Sequence, residues 1–307
     1  MKKIWDSIVI GGGPAGQSAA IYLARFNRSV LVIDKGHGRT DSFEVNQNYL
    51  GFPFGIPSRR LAELGRTQAE RYGATFMTAA AIGLKQLGIQ GFEVELADQT
   101  LQAHSIILAT GVTDHFPYFA QMREYLGRSL FWCITCDGYK TKNKKVVILG
   151  NTDEAACTAL QFLNYTPNVI FVSHCLDGQF GVSPQWQQHL RDHQIPIYVD
   201  QLIGVEGTQG FLRSALLASG QKISADFIFN QRQATPNVDL AVQVGVKLAD
   251  NGYIDADDNQ KTNVPFLYAA GDVTKMYAHQ IASAVHEGSM AGQAANYDLY
   301  LPYQRME

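Results

Sequence analysis

Ile4-Trp5-Asp6-Ser7-Ile8-Val9-Ile10-Gly11-Gly12-Gly13-Pro14-Ala15-Gly16 is an apolar run that ends in a glycine-rich turn. The residues beyond it predict a helix over 15–26 and a second apolar strand over 30–33 that ends at Asp34. Strand, Gly-x-Gly-x-x-Gly, helix, strand and acid, in that order, form the βαβ pattern of dinucleotide binding. Gly11 permits the tight turn, Gly13 lets the backbone approach a pyrophosphate, and Gly16 lets helix and sheet pack closely. The helix start offers unpaired amides and the positive end of its dipole to the phosphates. Asp34 stands where it would accept from ribose hydroxyls.

The pattern returns once. Residues 144–149 read as a strand, Gly150-Asn151-Thr152-Asp153-Glu154-Ala155 as the turn, 155–163 as a helix and 169–172 as the next strand. Two units in 307 residues fit the usual domain size of roughly 150 residues, with the second inserted into the first. Elsewhere a helix is expected from about 58 to 72, with Ser58 as its N-cap. A small antiparallel sheet is expected over 74–103, with turns at Gly88, Gly91 and Asp98-Gln99. A buried strand over 104–109 ends in Thr110-Gly111, and another over 266–270 ends in Gly271-Asp272. A helix is expected over 183–192, strands near 195–199, 202–205, 212–217, 227–229 and 253–255, and a closing helix over 278–299.

Between the two units lies Phe131-Trp132-Cys133-Ile134-Thr135-Cys136-Asp137-Gly138-Tyr139. Two cysteines separated by two residues form a redox-capable pair, and an acid follows the second directly. Such a pair supplies a nucleophile and a resolving thiol within one turn, and Asp137 is placed to move the proton. A zinc site needs four ligands, and neither a second C-x-x-C nor an H-x-x-x-H completes one, so no metal is expected. Four cysteines are too few for a disulfide-stapled scaffold; Cys157 and Cys175 read as small packing residues. A net charge of −3 argues against nucleic-acid or membrane-surface binding, and no apolar run approaches the ~20 residues of a membrane span. Met1–Ser7 lead straight into the first strand without a signal-peptide core, which points to the cytoplasm.

With the fingerprint, Ala109-Thr110-Gly111, Cys133-Ile134-Thr135-Cys136-Asp137 and Ala270-Gly271-Asp272 in this order, the chain resembles low-molecular-weight thioredoxin reductases over nearly its whole length. The resemblance implies an α/β fold of two Rossmann-like, three-layer ββα domains of the FAD/NAD(P)-linked disulfide reductase type. It implies a discontinuous FAD domain, 1–115 and 243–307, and an inserted domain, 116–242, that carries the cysteines. FAD, one per chain, would be surrounded by Gly11, Gly13, Pro14, Ala15, Gly16, Asp34, Lys35, Asn48, Ala109, Thr110, Gly111, Gly271, Asp272, His279, Gln280 and Ile281. Asp272 would bind the ribityl chain, and the 279–281 segment would lie along the flavin ring. Cys136 would face the flavin and Cys133 would exchange with a partner disulfide. A homodimer and a thioredoxin-like or other disulfide protein as partner follow from the same resemblance.

Departures from the family are local. Lys35-Gly36-His37-Gly38-Arg39-Thr40 replaces the usual Gly-Gly-Gln-Leu loop. In the second unit Thr152 takes the glycine position that admits the pyrophosphate, Asp153 and Glu154 add negative charge, and Ser173-His174-Cys175 replaces two phosphate-binding arginines. Gln231-Arg232-Gln233-Ala234-Thr235-Pro236-Asn237 lacks the glycine that usually precedes Pro-Asn. These losses predict a flavin-dependent disulfide oxidoreductase independent of NADPH. Ferredoxin-linked flavin thioredoxin reductases and diflavin-linked disulfide oxidoreductases both lack a nicotinamide site, and the motifs do not separate them. The inserted domain would then be a scaffold for the cysteines, take another ligand such as a second FAD, or admit electrons from a docked protein such as ferredoxin. Lys140, Lys142, Lys144 and Lys145 could steer an acidic partner such as ferredoxin, or simply form a solvated hairpin. Phe131, Trp132, Tyr139, Tyr297, Tyr300 and Tyr303 are candidates for stacking on flavin rings or for ordinary packing. An NADPH-dependent thioredoxin reductase with an unusual pocket and a redox-sensing flavoprotein without turnover are the competing readings.

Overall fold

The computed structural model describes residues 3–39, 45–88, 91–175, 178–232, 234–274 and 279–305. Met1, Lys2, Thr40, Gln233 and Ala278, named above, lie outside them. The first unit opens with β1 (Ile4–Ile10), α1 (Pro14–Arg25), β2 (Val30–Asp34), β3 (Val45–Asn46), β4 (Ile56–Pro57) and α2 (Ser58–Arg71). It continues through β5 (Thr75–Thr78), β6 (Gly83–Gln86), β7 (Phe92–Glu95) and β8 (Thr100–Leu108), and leaves by β9 (Val112–Thr113). The second unit holds α3 (Met122–Tyr125), β10 (Leu130–Phe131), α4 (Ile134–Asp137), β11 (Val146–Leu149), α5 (Asp153–Gln161) and β12 (Val169–Val172). It is completed by α6 (Pro184–Asp192), β13 (Ile197–Tyr198), β14 (Leu202–Thr208), β15 (Phe211–Leu217), β16 (Lys222–Ser224) and β17 (Phe227–Asn230). The chain returns through β18 (Thr235–Pro236), α7 (Asp239–Gln243), β19 (Leu267–Ala269) and α8 (Ile281–Asp298).

Alternation along the strands builds the layers. In β1, Val9 faces α1 and α8 and packs with Val30, Val32, Ile107 and the alanines of both helices. Its neighbours Ile8 and Ile10 face the opposite layer, with Leu31, Ile33, Ile106 and Leu108. Burying each such aliphatic side chain stabilises the fold by about 1.5–3 kcal/mol. The second unit repeats the plan: Val147, Leu149 and Val172 pack on the three-stranded β14–β15–β16 sheet, while Val146, Ile148 and Phe171 pack on α5 and α6. Both units are therefore sandwiches of sheet, sheet and helix, as expected.

Several local expectations change. Over 74–103 the antiparallel sheet forms from residue 83 on: β6, β7 and β8 pair antiparallel and join the main sheet through β8, whereas β5 runs parallel to β2. The N-cap of α2 is Pro57, without a side-chain cap, because the hydroxyl of Ser58 accepts instead from Asn46 Nδ2 at 3.1 Å. The strand expected at 253–255 is a single bridge, Leu248 to Ile254. The closing helix starts at Ile281.

β9 and β18 pair antiparallel as the two crossings between units. Asn237 ties them together: its Nδ2 donates to Thr110 O at 2.9 Å, its Oδ1 accepts from the Thr113 hydroxyl at 2.8 Å, and its amide donates to Gly111 O at 3.0 Å. Leu240 and Ala241 of α7, beside the boundary expected at 242/243, pack into the first unit's core.

Candidate functional site

A cleft of about 1300 Å³ runs from the first glycine turn to the cysteine pair. Its floor is built by close approaches. Gly11 has φ +111°, and a Cβ there would stand 2.1 Å from Ala109 O. A Cβ on Gly16 would stand 1.9 Å from Gly11 O. Gly13 is different, since a Cβ would meet nothing within 4 Å. The open ground lies at the start of α1, which has no side-chain cap and no acidic residue in its first turn. Uncapped amides at a helix N-terminus suit a diphosphate, so these residues fit FAD. Pro14, Ala15, Asp34, Lys35, Asn48, Ala109, Thr110, Gly111, Gly271, Asp272, His279, Gln280 and Ile281 line the same cleft. Gly271 is braced by Glu287, whose carboxylate accepts from its amide at 2.8 Å.

The redox pair closes the other end. Cys133 and Cys136 form a disulfide, with Cys133 preceding the first turn of α4. Gln280 lies at the start of α8 in the first unit, and its Nε2 is 3.5 Å from each sulfur. Its Oε1 accepts from Asn48 Nδ2 at 2.9 Å. The structure thus joins three separately expected elements, the cysteines, Asn48 and Gln280. The ring of His279 lies 5.8 Å from that of Tyr253.

Asp137 is 3 % exposed. One oxygen, Oδ1, meets Lys140 Nζ at 2.7 Å, whereas Oδ2 has no hydrogen-bond partner among the described residues. Burial raises the carboxyl above its ordinary value, against the hydrogen bond and charge of Lys140, which lower it. A carboxyl whose folded value is raised favours folding at low pH and loses that contribution as pH rises through the folded value. Asp137→Asn is therefore expected to raise Tm at about pH 7, and the gain should shrink towards about pH 4. Thermal unfolding at the two pH values checks this; a pH-independent difference would remove the buried charge from the account.

Two side chains of the cleft had no forecast role. Arg39 bridges Asp272 at 3.0 Å and Asp114 at 2.8 Å. Burial raises Asp114, while Arg39 beside it pulls the other way. Arg39 belongs to the departing 35–40 loop, which was its one signal; Asp114 carried none.

The second glycine turn has the opposite character. Thr152 caps α5, its hydroxyl accepting from the Ala155 amide at 3.3 Å, and Asp153 and Glu154 occupy the first turn. The 178–183 segment lies across this turn. Asn151 Nδ2 donates to Gln179 O and its Oδ1 accepts from the Gly181 amide, both at 2.8 Å. Asp153 accepts from the Ser183 amide at 2.7 Å. His174 is buried at φ +46° and its Nδ1 accepts from the Leu202 amide at 3.0 Å. Burial, and then the charge of Arg232, hold His174 below its ordinary value. Its ring is thereby tied to the start of β14.

Among the aromatic candidates, Phe131 is fully buried in the second unit's core beside Phe227 and Phe229, so it does not face the cleft. Trp132 lines the cleft, edge-on to Phe116 at 5.0 Å. Tyr139 and Tyr303 are exposed, and Tyr300 lies against Arg28. Lys142, Lys144 and Lys145 are exposed, Lys145 donating to Asp226 and Ser224, while Lys140 turns inward. Cys157 and Cys175 are half-buried free thiols. Among the described residues no cluster of His, Cys, Asp or Glu could hold a metal, and no helix is long and apolar enough to cross a membrane.

Residues 5–288 match the pyridine nucleotide-disulphide oxidoreductase family model. A thioredoxin reductase of Listeria innocua is 30% identical over 305 residues, covering 96% of this chain and 93% of its own. The atypical thioredoxin reductase of Desulfovibrio vulgaris Hildenborough is 33% identical, with 95% of this chain and 96% of its own covered and a TM-score of 0.53. The thioredoxin reductase structure from Streptococcus pyogenes MGAS5005 shares the fold at 23% identity, covering 97% and 99%, with a TM-score of 0.90.

Proposed function

The chain belongs to the pyridine nucleotide-disulphide oxidoreductase family, as a flavoprotein disulfide oxidoreductase of thioredoxin reductase type, and on that footing we propose that it exchanges electrons between FAD and the Cys133–Cys136 pair without NADPH. The contrast between the two glycine turns carries this reading. At α1 the amides are uncapped and face a cleft. At α5 the turn is capped by Thr152, made acidic by Asp153 and Glu154, and strapped by 178–183 through Asn151 and Asp153. A dianionic diphosphate there would have to displace the strap and face two carboxylates.

FAD, when bound, supplies the two-electron couple. Gly13 and the α1 amides would hold its diphosphate, Asp34 its ribose, and Asp272, released from Arg39, its ribityl chain. Ala109, Thr110 and Gly111 would shape the wall, while His279 and Ile281 flank Gln280 beside the disulfide. Cys136 is the sulfur assigned to the flavin side and Cys133 to the partner. Asp137 moves the proton. We assign FAD to 1–115 and 243–307 and the redox pair to 116–242, with a thioredoxin-like or other disulfide protein as partner, a homodimer as the assembly and the cytoplasm as its place. Ferredoxin as donor is supported by the exposed Lys142, Lys144 and Lys145 alone.

One observation favours the NADPH reading: Gly150 survives, tucked where a Cβ would stand 2.6 Å from Ala155 Cβ, so the turn keeps its shape. Anaerobic reductive titration separates the two. Dithionite is expected to bleach the flavin and NADPH and NADH to leave it oxidised; stoichiometric bleaching by NADPH overturns the proposal. Counting flavin released per chain decides between an inserted unit that is a scaffold and one that carries a second FAD.

A further inference from the structure

Lys140 stands three residues after Asp137, in the 3-10 turn Gly138–Thr141 that follows α4. That spacing brings a side chain back over the preceding turn. Its ammonium lies 4.9 Å from the centre of the Phe131 ring and reaches Asp137 Oδ1 at 2.7 Å. The side chain is 33% exposed, against 4% for Asp137, so Lys140 spans from solvent to the buried acid. A lysine read from sequence as part of a solvated hairpin is committed inward.

We propose that Lys140 is a positioning residue for the proton-transfer step: it holds Oδ1 of Asp137 and balances the carboxylate left when Oδ2 gives its proton to the leaving Cys136 sulfur. The inference rests on the reading that Asp137 serves the redox pair. In the step concerned, a thiolate of an external dithiol attacks Cys133 Sγ. The Cys133–Cys136 bond breaks and a mixed disulfide forms on Cys133. The bonding pair goes to Cys136, which takes the proton of the Asp137 carboxyl. The second thiolate of the dithiol then attacks its own sulfur in the mixed disulfide and frees Cys133; the dithiol is oxidised and the pair reduced.

The geometry fits this division. Oδ2 is buried without a hydrogen-bond partner among the described residues, and Asp137 lines the same cleft as both cysteines. The cysteines flank Asp137 in its own turn, and the ring of Tyr165 packs on the neighbouring Gly138. Gln280 approaches the sulfurs from the first unit as a neutral amide. Lys140 is the charged group that acts on Asp137, lowering a carboxyl that burial raises. An ammonium in contact favours the ionised acid, so a buried acid that must give up a proton gains most from it.

The test follows the anaerobic reduction of the disulfide by dithiothreitol in the FAD-loaded chain, from mildly acidic to mildly alkaline pH. Each rate is divided by that of Asp137→Asn, which cancels the ionisation of the reagent. The advantage of the native chain should fall off as Asp137 ionises. In Lys140→Met this fall-off should move up by about one pH unit or more, while Lys140→Arg, which keeps a cation, should stay with the native profile. Lys140→Gln replaces the Met variant if that chain does not fold. A fall-off unmoved in Lys140→Met, or moved equally in Lys140→Arg, overturns the role of Lys140 and leaves Asp137 standing. An Asp137→Asn chain that matches the native rate at every pH overturns the Asp137 reading, and the proposal with it.

Discussion

Cys136→Ser should yield a protein that keeps the flavin content of the native chain and loses disulfide-reductase turnover by on the order of 10³-fold or more, the scale on which removal of a covalent catalytic group is felt. The reason is geometric. Cys136 lies in α4 beside Gln280, whose Nε2 contacts both sulfurs from the first unit. The floor of that cleft, from Gly11 to Ala15 and from Ala109 to Gly111, is made by other segments. Removing one sulfur abolishes the internal disulfide and leaves the nucleotide cradle untouched. Flavin released on denaturation gives the first quantity, and anaerobic reduction of a protein disulfide by the dithionite-reduced enzyme gives the second. Native turnover by the variant would remove the pair from the mechanism.

Gly16→Ala should do the reverse, sparing the cysteines and damaging the cradle. A Cβ at this position would stand 1.9 Å from Gly11 O and 3.2 Å from Val9 Cγ1. The first contact is with backbone, which cannot swing aside as the end of a side chain can. Overpacking of a tight site costs about 1–3 kcal/mol, occasionally more, and the upper end is expected here because the turn itself must open. The turn is where we propose the diphosphate binds, so FAD content should fall with stability. The urea midpoint and the flavin-to-chain ratio report the two losses. A chain with the native midpoint and full flavin would show that the close approach is not needed.

The first turn was legible because its demands are local. Each glycine of Gly11-Gly12-Gly13-Pro14-Ala15-Gly16 answers a contact inside one βαβ unit, and the spacing states it. Thr152 was legible only as the residue in a glycine's place; that its hydroxyl caps α5 came from the structure. Ser58 has a capping propensity on paper, but its hydroxyl found Asn46, twelve residues earlier, and Pro57 took the cap position. Phe131 illustrates the limit for aromatics. A ring beside a redox cysteine is compatible with stacking or with core, and the parallel pairing of β10 to β17 put this one in the core.

Sequence alone determined the two βαβ units, the redox pair with its acid, and the loss of a glycine from the second turn and of the arginines after the strand that follows, since each depends on residue type at short spacing. Tertiary structure decided what those residues meet. Arg39 reaches Asp114 and Asp272 across 75 and 233 residues, Gln280 reaches the sulfurs across 147 and 144, and the 178–183 strap settles on a turn about 30 residues before it. Lys140 lies only three residues from Asp137, yet nothing local required it to turn inward. Burial of the carboxylate supplied the reason, and burial is a property of the packed chain.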